Sequence, residues 1–550
     1  MHALAALLSE RLSSGLRRKS IVLPSQWAET YREMGPPYPG RWTFNRHPWL
    51  RGMHDSQADF NVGQKAAQMG FTETVLNIVF YHIDIHGVDC LYVLPAKTPD
   101  ASDFSAARFD PAIESSPHLG NIFTDVKNVG HKRAGQANLY IRGSKSRAGL
   151  KSVPVGVLIL DEKDEMKQEN IPLARERLSG YSMALTWEIS TPTVNDMGIN
   201  VTFRASTQEA FFFRCPGCGK LINLEFPRNM QICGDGPEDI AITRSYLKCH
   251  LCEKKLEHQE KINFLSTGQW VPAKLQRAAR GFGISQMYSS SKKAEPGSFI
   301  HAYFLAQTNP ADEQEFYNSK LGLPHIVEGA KLSDADIQRV LGGYLKMEYC
   351  TSTNKCITMG VDVGTWLHYE IDEWDLTPGS PSVNTHARCR VLREGKVRDF
   401  EELDELMDAF KVNHCVIDAQ PERRKALEFA QRWYGRVSLC QYTRGISGKQ
   451  IHVNEDELTV SVDRTSWLDL ALSRFRSELI ALPKDTSNEY KEHLKSLVRI
   501  YEKDTDGNLV GKYVKGDNNH DHFAHSRNYA EIALPLAVSV GATHSMESPA

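Results

Sequence analysis

The chain has 550 residues, 41% of them hydrophobic and 24% charged, and a formal net charge of −3. That length supports two or three domains with cores of their own, and the near-balanced charge confines any DNA contact to local basic patches. Eleven cysteines are too few for a disulfide scaffold at this length, and four of them fall in two C-x-x-C pairs, which points to a reducing compartment and a metal.

The first segment, HALAALLSERLSSGLRRKS, reads as an amphipathic helix with a basic end. Ser9, Glu10 and Arg11 interrupt its apolar residues and no small-residue cleavage site follows, so it is not read as a signal peptide. With no run of about eighteen apolar residues anywhere, no membrane span is expected and a soluble intracellular protein is. In SQWAETYREMGPPYPGRWTFNRHPW, Trp27 and Tyr31 sit four apart on a short helix that PPYPG ends. These aromatics could stack on an adenine ring, although packing on their own domain is the commoner use.

A nucleotide site is read from three stretches. NVGQKAAQMGFTE (Asn61–Glu73) is a Gly-containing turn opening into an apolar helix, the geometry that aims backbone N–H groups at a phosphate. Compared with G-x-x-x-x-G-K-[ST], Phe71 stands in the usual lysine place, so Lys65 must supply the charge and Thr72 the hydroxyl on Mg²⁺, with Gln64 and Gly70 beside them. Val153–Met166, VPVGVLILDEKDEM, carries the β-branched run Val155, Val157, Leu158, Ile159 and Leu160, which reads as a strand buried on both faces. Asp161 and Glu162 emerge at its carboxyl end, where one acid can hold a metal and the next can activate water; a solvated Asp-Glu turn is the alternative. Between these lie a strand at Cys90–Ala96 and a basic loop with Arg142, Lys145, Arg147 and Lys151. That loop would meet phosphates or DNA, or be solvated. The turn Ser190-Thr191-Pro192-Thr193 ends a further strand and suits a γ-phosphate sensor or a plain Thr/Pro turn.

Cys215-Pro-Gly-Cys218 and Cys249-His-Leu-Cys252 are two metal knuckles separated by thirty residues (249 − 218 − 1). Four thiolates make a closed tetrahedral Zn²⁺ site of structural type, and two pairs argue against a redox C-x-x-C. The strand GFGISQMYS (Gly281–Ser289) and one helix near Phe299–Lys320 are expected to close this half. Leu321–Lys355 reads as a connector in which Ser333 caps a helix of its own.

A second acidic constellation follows. CITMGVDV (Cys356–Val363) is an apolar strand containing Asp362, HCVIDAQ (His414–Gln420) ends with Asp418, and Asp521 opens an apolar helix. Such acids are costly to bury unless paired or metal-bound, and three of them suit a two-metal nuclease; strand- and helix-end capping is the plainer use. His522 and His525 would assist or be structural.

The ordered set WAETYR and PGRW, QKAAQMGFTE, LILDEKDEM, STPT, the paired C-x-x-C, GFGISQMYS, MGVDVG, VIDAQ and NHDHFAHSRNYA resembles the large terminase subunit of tailed phages, lambda-like gpA type, over roughly residues 25–535. The resemblance implies an α/β architecture in which an ASCE/RecA-like P-loop ATPase domain with a zinc-ribbon insertion precedes an RNase H-like nuclease domain. The implied division is a basic arm at 1–24, the ATPase at 25–330 with its ribbon at about 208–260, a linker at 331–355, the nuclease at 356–540 and a tail at 541–550. It also implies that Lys65 and Thr72 bind phosphate and Mg²⁺, Asp161 holds Mg²⁺, Glu162 activates water, and Ser190–Thr193 couples hydrolysis to movement. Asp362, Asp418 and Asp521 would hold two Mg²⁺ or Mn²⁺ ions. Where some relatives have a loop arginine this chain has Gln68, so the arginine finger is unassigned. The implied work is cleavage of concatemeric viral double-stranded DNA and its ATP-driven translocation into a procapsid. It would be done as a homo-oligomer on the portal protein in the host cytoplasm, with a small terminase subunit and without a membrane. Two rivals differ in kind. A helicase–nuclease of repair or transposition would need a second phosphate loop after Lys355, and a zinc-ribbon DNA-binding scaffold would carry an inactive ATPase.

Overall fold

The computed structural model describes residues 23–36, 38–123, 126–151, 153–350, 355–376, 387–443, 446, 448–503, 509–517 and 519–544. The expected amino-terminal helix and the tail beyond 544 lie outside them. The chain divides into two compact units, Met1–Val327 and Glu328–Ala550. Among the described residues no helix is long and apolar enough to cross a membrane.

The first unit is built on a parallel sheet, as its alternation of apolar strands and helices requires. In chain order its strands are β1 (Phe60–Lys65), β2 (Cys90–Leu94), β3 (Ala137–Gly143), β4 (Val157–Asp161), β5 (Leu185–Ser190), β6 (Glu209–Arg214) and β7 (Arg280–Ile284). They lie in the order β6-β7-β1-β5-β4-β2-β3, all parallel, and short antiparallel strands flank both edges. Every residue of β4 is buried, which is why its sequence is a continuous apolar run rather than an alternating one. Beside it β5 separates β4 from β1, so the three strand ends at Lys65, Asp161 and Ser190 lie side by side.

Helix α1 (Phe71–Tyr81) follows β1 and α2 (Gly198–Ala205) follows β5. The single helix expected near Phe299–Lys320 is instead α3 (Pro296–Ala306) and α4 (Pro310–Glu315), the second running on as a wider turn to Leu321. Asn309 makes the break: its side chain accepts from the N–H groups of Ala311 and Asp312 at 3.1 and 2.9 Å, and Pro310 starts the new helix.

In the second unit α5 (Asp334–Arg339) begins at the expected cap, with Ser333 and Asp336 forming a reciprocal capping box. The segment read as a connector is nevertheless part of this unit's core: Leu332, Ile337 and Val340 are buried with Trp374 and Phe475. The sheet contains β8 (Cys356–Val363), β9 (Leu367–Asp375), β10 (Arg388–Val397), β11 (His414–Asp418), β12 (Val437–Tyr442) and β13 (Thr459–Val462), ordered β13-β12-β11-β8-β9-β10. β8, β9 and β10 run antiparallel to one another as a meander, whereas β8, β11, β12 and β13 are parallel.

Helix α6 (His522–His544) crosses the centre of this sheet at close range. A methyl group on Gly360 of β8 would stand 2.0 Å from the Ser526 carbonyl oxygen and 2.2 Å from the Ala530 nitrogen, so only glycine permits the approach. Gly360→Ala is therefore expected to lower unfolding free energy by about 3 kcal/mol or more, at the upper end of overpacking costs. Gly343→Ala, which meets nothing within 4 Å, should be neutral. Denaturant titration of the full chain checks both, and equal midpoints would show that α6 does not lie on β8.

Candidate active sites and cysteine cluster

The loop after β1 is braced from behind. Ala66 N–H donates to the Ile284 carbonyl at 2.9 Å, Ala67 N–H to Ser319 at 2.8 Å, and Trp49 Nε1 to the Met69 carbonyl at 3.0 Å. Gly70 enters α1 in the left-handed region, φ 83°, with no side chain capping the helix. The first N–H groups of α1 thus lack intrahelical partners and can receive an anion. Phe71 is not a failed phosphate ligand. Its ring is buried against Gly63, where a methyl group would come within 2.6 Å, so the glycine of NVGQK exists to admit it. Gln68 is exposed at the loop with φ 62°.

Lys65 ends β1 with Nζ donating to Glu162 Oε1 at 2.9 Å and to Thr191 Oγ1 at 3.3 Å. Gln64, the preceding strand residue, points to the opposite face, as strand alternation demands. It donates to the Gly322 carbonyl and accepts from Asn200, which corrects its expected place at a cofactor. Asp161 is buried at the end of β4; Tyr92 donates to its Oδ2 at 2.5 Å, and Oδ1 has no hydrogen-bond partner. Burial first, then the Glu162 charge, push the Asp161 carboxyl up to about 6, against the opposing effects of Lys65, Tyr92 and the Thr72 hydroxyl. Glu162 itself is held at φ 59°, a left-handed conformation costing of order 1–3 kcal/mol that a non-glycine residue keeps only when its surroundings demand it. The unpartnered oxygen, the adjacent hydroxyl and the raised pKa, which marks a carboxylate short of positive charge, fit a divalent cation between Asp161 and Thr72.

Sequence reasoning missed Asp164. Its buried carboxylate accepts from Thr193 N–H at 2.8 Å and Ile199 N–H at 2.7 Å, while its own N–H donates to Ser190 Oγ at 3.1 Å. Desolvation outweighs these bonds and raises its pKa to about 7. Ser190, expected at the cofactor, is therefore a buried strut rather than an open hydroxyl, and Thr191 is the residue of that turn in contact with Lys65. The third acid of DEKD, at three residues from Asp161, was the available signal. Trp27 and Tyr31 are packing residues: Trp27 is buried and bonded to Asp84, and Tyr31 stacks on His118. In the basic loop Arg142 is committed to the Gly130 and Ile141 carbonyls, while Lys145, Arg147 and Lys151 are exposed.

The two C-x-x-C pairs converge. Each is a hairpin turn of one geometry: Gly219 and Glu253 N–H donate to the carbonyls of Cys215 and Cys249, both at 2.9 Å. The Sγ atoms of Cys215 and Cys252 are 3.8 Å apart and those of Cys218 and Cys249 4.0 Å. Tetrahedral Zn–S bonds of about 2.3 Å place sulfurs about 3.8 Å apart, so the cluster fits that ion.

In the second unit Val361 pairs with Ile417, which sets Asp362 and Asp418 next to each other at the ends of β8 and β11. Asp418 accepts from Gln420 N–H at 3.0 Å; burial above all, with the Asp362 charge, pushes its carboxyl up to about 6. Asp521 lies before α6 with Lys515 Nζ at 2.6 Å and His525 Nε2 at 3.3 Å. Against the cost of burial, His525 and then Lys515 hold its carboxyl well below the ordinary range. The three acids do not form one tight cluster. Among the described residues, the group whose ligand atoms lie within 4.8 Å of one another in this unit is Asp362, His368 and His522. His525 also meets Tyr442 and Arg464 at 3.1 and 3.3 Å.

Residues 37–270 match the family described as phage terminase large subunit gpA, ATPase domain. No curated protein matches the chain by sequence. The crystal structure of the bacteriophage HK97 large terminase is similar at 12% identity and a TM-score of 0.50, covering 93% of this chain and 99% of that one. The large terminase ATPase domain of a Thermus phage aligns at 13% identity and a TM-score of 0.31, covering 50% of this chain and 92% of that one. The large terminase nuclease of thermophilic phage G20c aligns at 13% identity and a TM-score of 0.23, covering 36% of this chain and 95% of that one. Residues 37–270 of the first unit thus match the ATPase domain of phage terminase large subunits, and the chain shares the fold of the HK97 large terminase.

Proposed function

We propose that this subunit is a two-site enzyme, an ATP-hydrolysing DNA translocase whose second unit is a metal-dependent endonuclease of RNase H-like architecture. The observation that carries the proposal is the gathering of acids at the carboxyl ends of central strands in both units: Asp161 and Glu162 after β4 with Lys65 and Tyr92 facing them, and Asp362 and Asp418 on adjacent β8 and β11 with the Lys515-paired Asp521 before α6.

In the first site Mg²⁺-ATP, when bound, supplies the γ-phosphoryl group and a cation that screens its charge. Thr72 and Asp161 would hold that cation, and the amino end of α1 with Lys65 would take the phosphates. Lys65 sits between Glu162 and Thr191, so its charge is shared with the residue that would orient and deprotonate the attacking water. Asp164 would position the Ser190–Thr193 turn that follows γ-phosphate loss. In the second site Asp362, Asp418 and Asp521 would hold two Mg²⁺ or Mn²⁺ ions, which when bound activate water and stabilise the leaving oxygen of a phosphodiester. Lys515 and His525 keep Asp521 ionised for that role. The cysteine cluster would hold one structural Zn²⁺ in a ribbon within the ATPase unit. Double-stranded viral DNA, the portal protein, the small terminase subunit and further copies of the chain are the partners this reading requires, on a procapsid in the host cytoplasm.

Two substitutions separate the sites. Glu162→Ala should lower ATP turnover at least about 100-fold, the usual scale for a general base, and leave supercoiled-plasmid cutting intact. Asp418→Ala should abolish cutting under Mg²⁺ and Mn²⁺ while ATP turnover persists. Loss of both activities in either folded variant would refute two independent sites.

Asp164→Ala should reduce ATP turnover without affecting plasmid cutting, since the acceptor it removes, for Thr193 and Ile199 N–H, lies within the first unit. Unchanged turnover would deny it a positioning role. For the ribbon, elemental analysis should find one zinc per chain, and Cys218→Ser with Cys249→Ser should find none and lower the unfolding temperature. Zinc retained in the double variant would place the ion elsewhere.

A further inference from the structure

The second unit contains a histidine cluster that the acid-based reading does not use. His368 and His522 stack with ring centroids 4.6 Å apart and an interplanar angle of 11°, and His493 lies 5.8 and 5.7 Å from them. Asp362 and His368 are direct cross-strand partners on β8 and β9, so the β8–β9 hairpin presents both to one face. His522, the first residue of α6, completes the group, with Nδ1 2.9 Å from Asp362 Oδ2.

His368 is the buried, unpartnered member of the group. The residue is 5% exposed, and its Nδ1 is buried without a hydrogen-bond partner. Leaving a ring nitrogen buried and unpaired is costly, and a native protein keeps such a group for a reason. Its other nitrogen, Nε2, faces Glu489 Oε1 at 3.9 Å, which favours the proton there and leaves the Nδ1 lone pair available as a ligand. A ring nitrogen from each of His368 and His522 and one oxygen of Asp362 lie within 4.8 Å of one another. Mg²⁺ takes oxygen ligands almost exclusively, whereas two imidazoles and a carboxylate suit a first-row transition ion.

We propose that Asp362, His368 and His522 form a nitrogen-containing divalent-cation site, occupied by a transition ion of the Mn²⁺ class, with Asp362 shared between it and Asp418. The proposal rests on the nuclease reading for the use of that ion but not for its binding. Lys515 is paired with Asp521 at 2.6 Å and Arg464 with His525 at 3.3 Å.

Pulsed electron paramagnetic resonance on the zinc-loaded full-length chain with Mn²⁺ reads the ligands directly. Wild-type protein is expected to show echo modulation from ¹⁴N, a signal that carboxylates, hydroxyls and phosphates do not produce. His368→Gln with His522→Gln should lose the modulation and bind Mn²⁺ about 10-fold more weakly or worse. Absence of bound Mn²⁺, or bound Mn²⁺ without nitrogen modulation in the wild-type protein, overturns the proposal whether or not the variant folds. Plasmid cutting in the same samples distinguishes the two readings. Nitrogen-ligated Mn²⁺ without cutting keeps this site and removes the nuclease, and Asp418-dependent cutting with oxygen-only Mn²⁺ does the reverse.

Discussion

A carboxylate at the end of a buried strand is unfavourable until something opposite accepts its charge, and both units are arranged around that constraint. In the first, β5 lies between β1 and β4, so Lys65 reaches across it to Glu162 while Asp161 is left with Tyr92 and one unpartnered oxygen. A second lysine on Asp161 would close the carboxylate oxygen that is now open. A strand end that is only half compensated is the form that suits a metal-binding acid.

The second unit reaches its site through a buried ionic cluster. Arg527 on α6 pairs with Glu370 at 2.6 Å, with Asp372 and with Glu531 at 2.7 Å, and Arg474 pairs with Glu531, all nearly inaccessible to solvent. Two arginines against three acids would leave a net negative charge. Burial, with Asp372 beside it, pushes the Glu370 carboxyl well upward, and the neutral form balances the group. Tyr490 donates to Glu370 at 2.7 Å. This cluster fixes the rotation of α6, and the Gly360 contact fixes its depth. Together they bring His522 and Asp521 to the strand ends, although neither residue belongs to the cluster.

Local patterns carried much of this. The apolar run before Asp161, the Gly70 turn, the capping serine at 333 and the paired cysteines each declare themselves within a few residues, because buried strands, left-handed turns, helix caps and tetrahedral thiolates have short-range chemical signatures. What stayed illegible depends on what lies opposite. Phe71 looks like a lost lysine until Gly63 is seen beneath its ring. Gln64 and Lys65 differ in role only through the face each occupies in a strand buried on both sides. Asp164 is one acid among four in DEKDE, and its value comes from backbone donors about thirty residues away. His368 could have been found by pairing β8 with β9 across the turn after Asp362, which requires the hairpin register rather than either strand alone.

The turn after β5 shows how such non-local contacts would serve a motor. Asp164 ties Thr193 and α2 to the residues just beyond Asp161, and the Thr193 carbonyl accepts from Gln314 Nε2 at 3.2 Å, Asn318 Nδ2 at 2.9 Å and His325 N–H at 3.1 Å. Three donors on one carbonyl hold the segment from α4 to His325 to the same turn that offers Thr191 to Lys65. A shift of Lys65 between Glu162 and a phosphate would therefore act on a turn that cannot move alone. Within the first unit, the chemistry at the strand ends and the position of residues 310–325 are joined by hydrogen bonds rather than by a flexible loop, and a rigid connection of that kind is what converting a local charge movement into displacement requires.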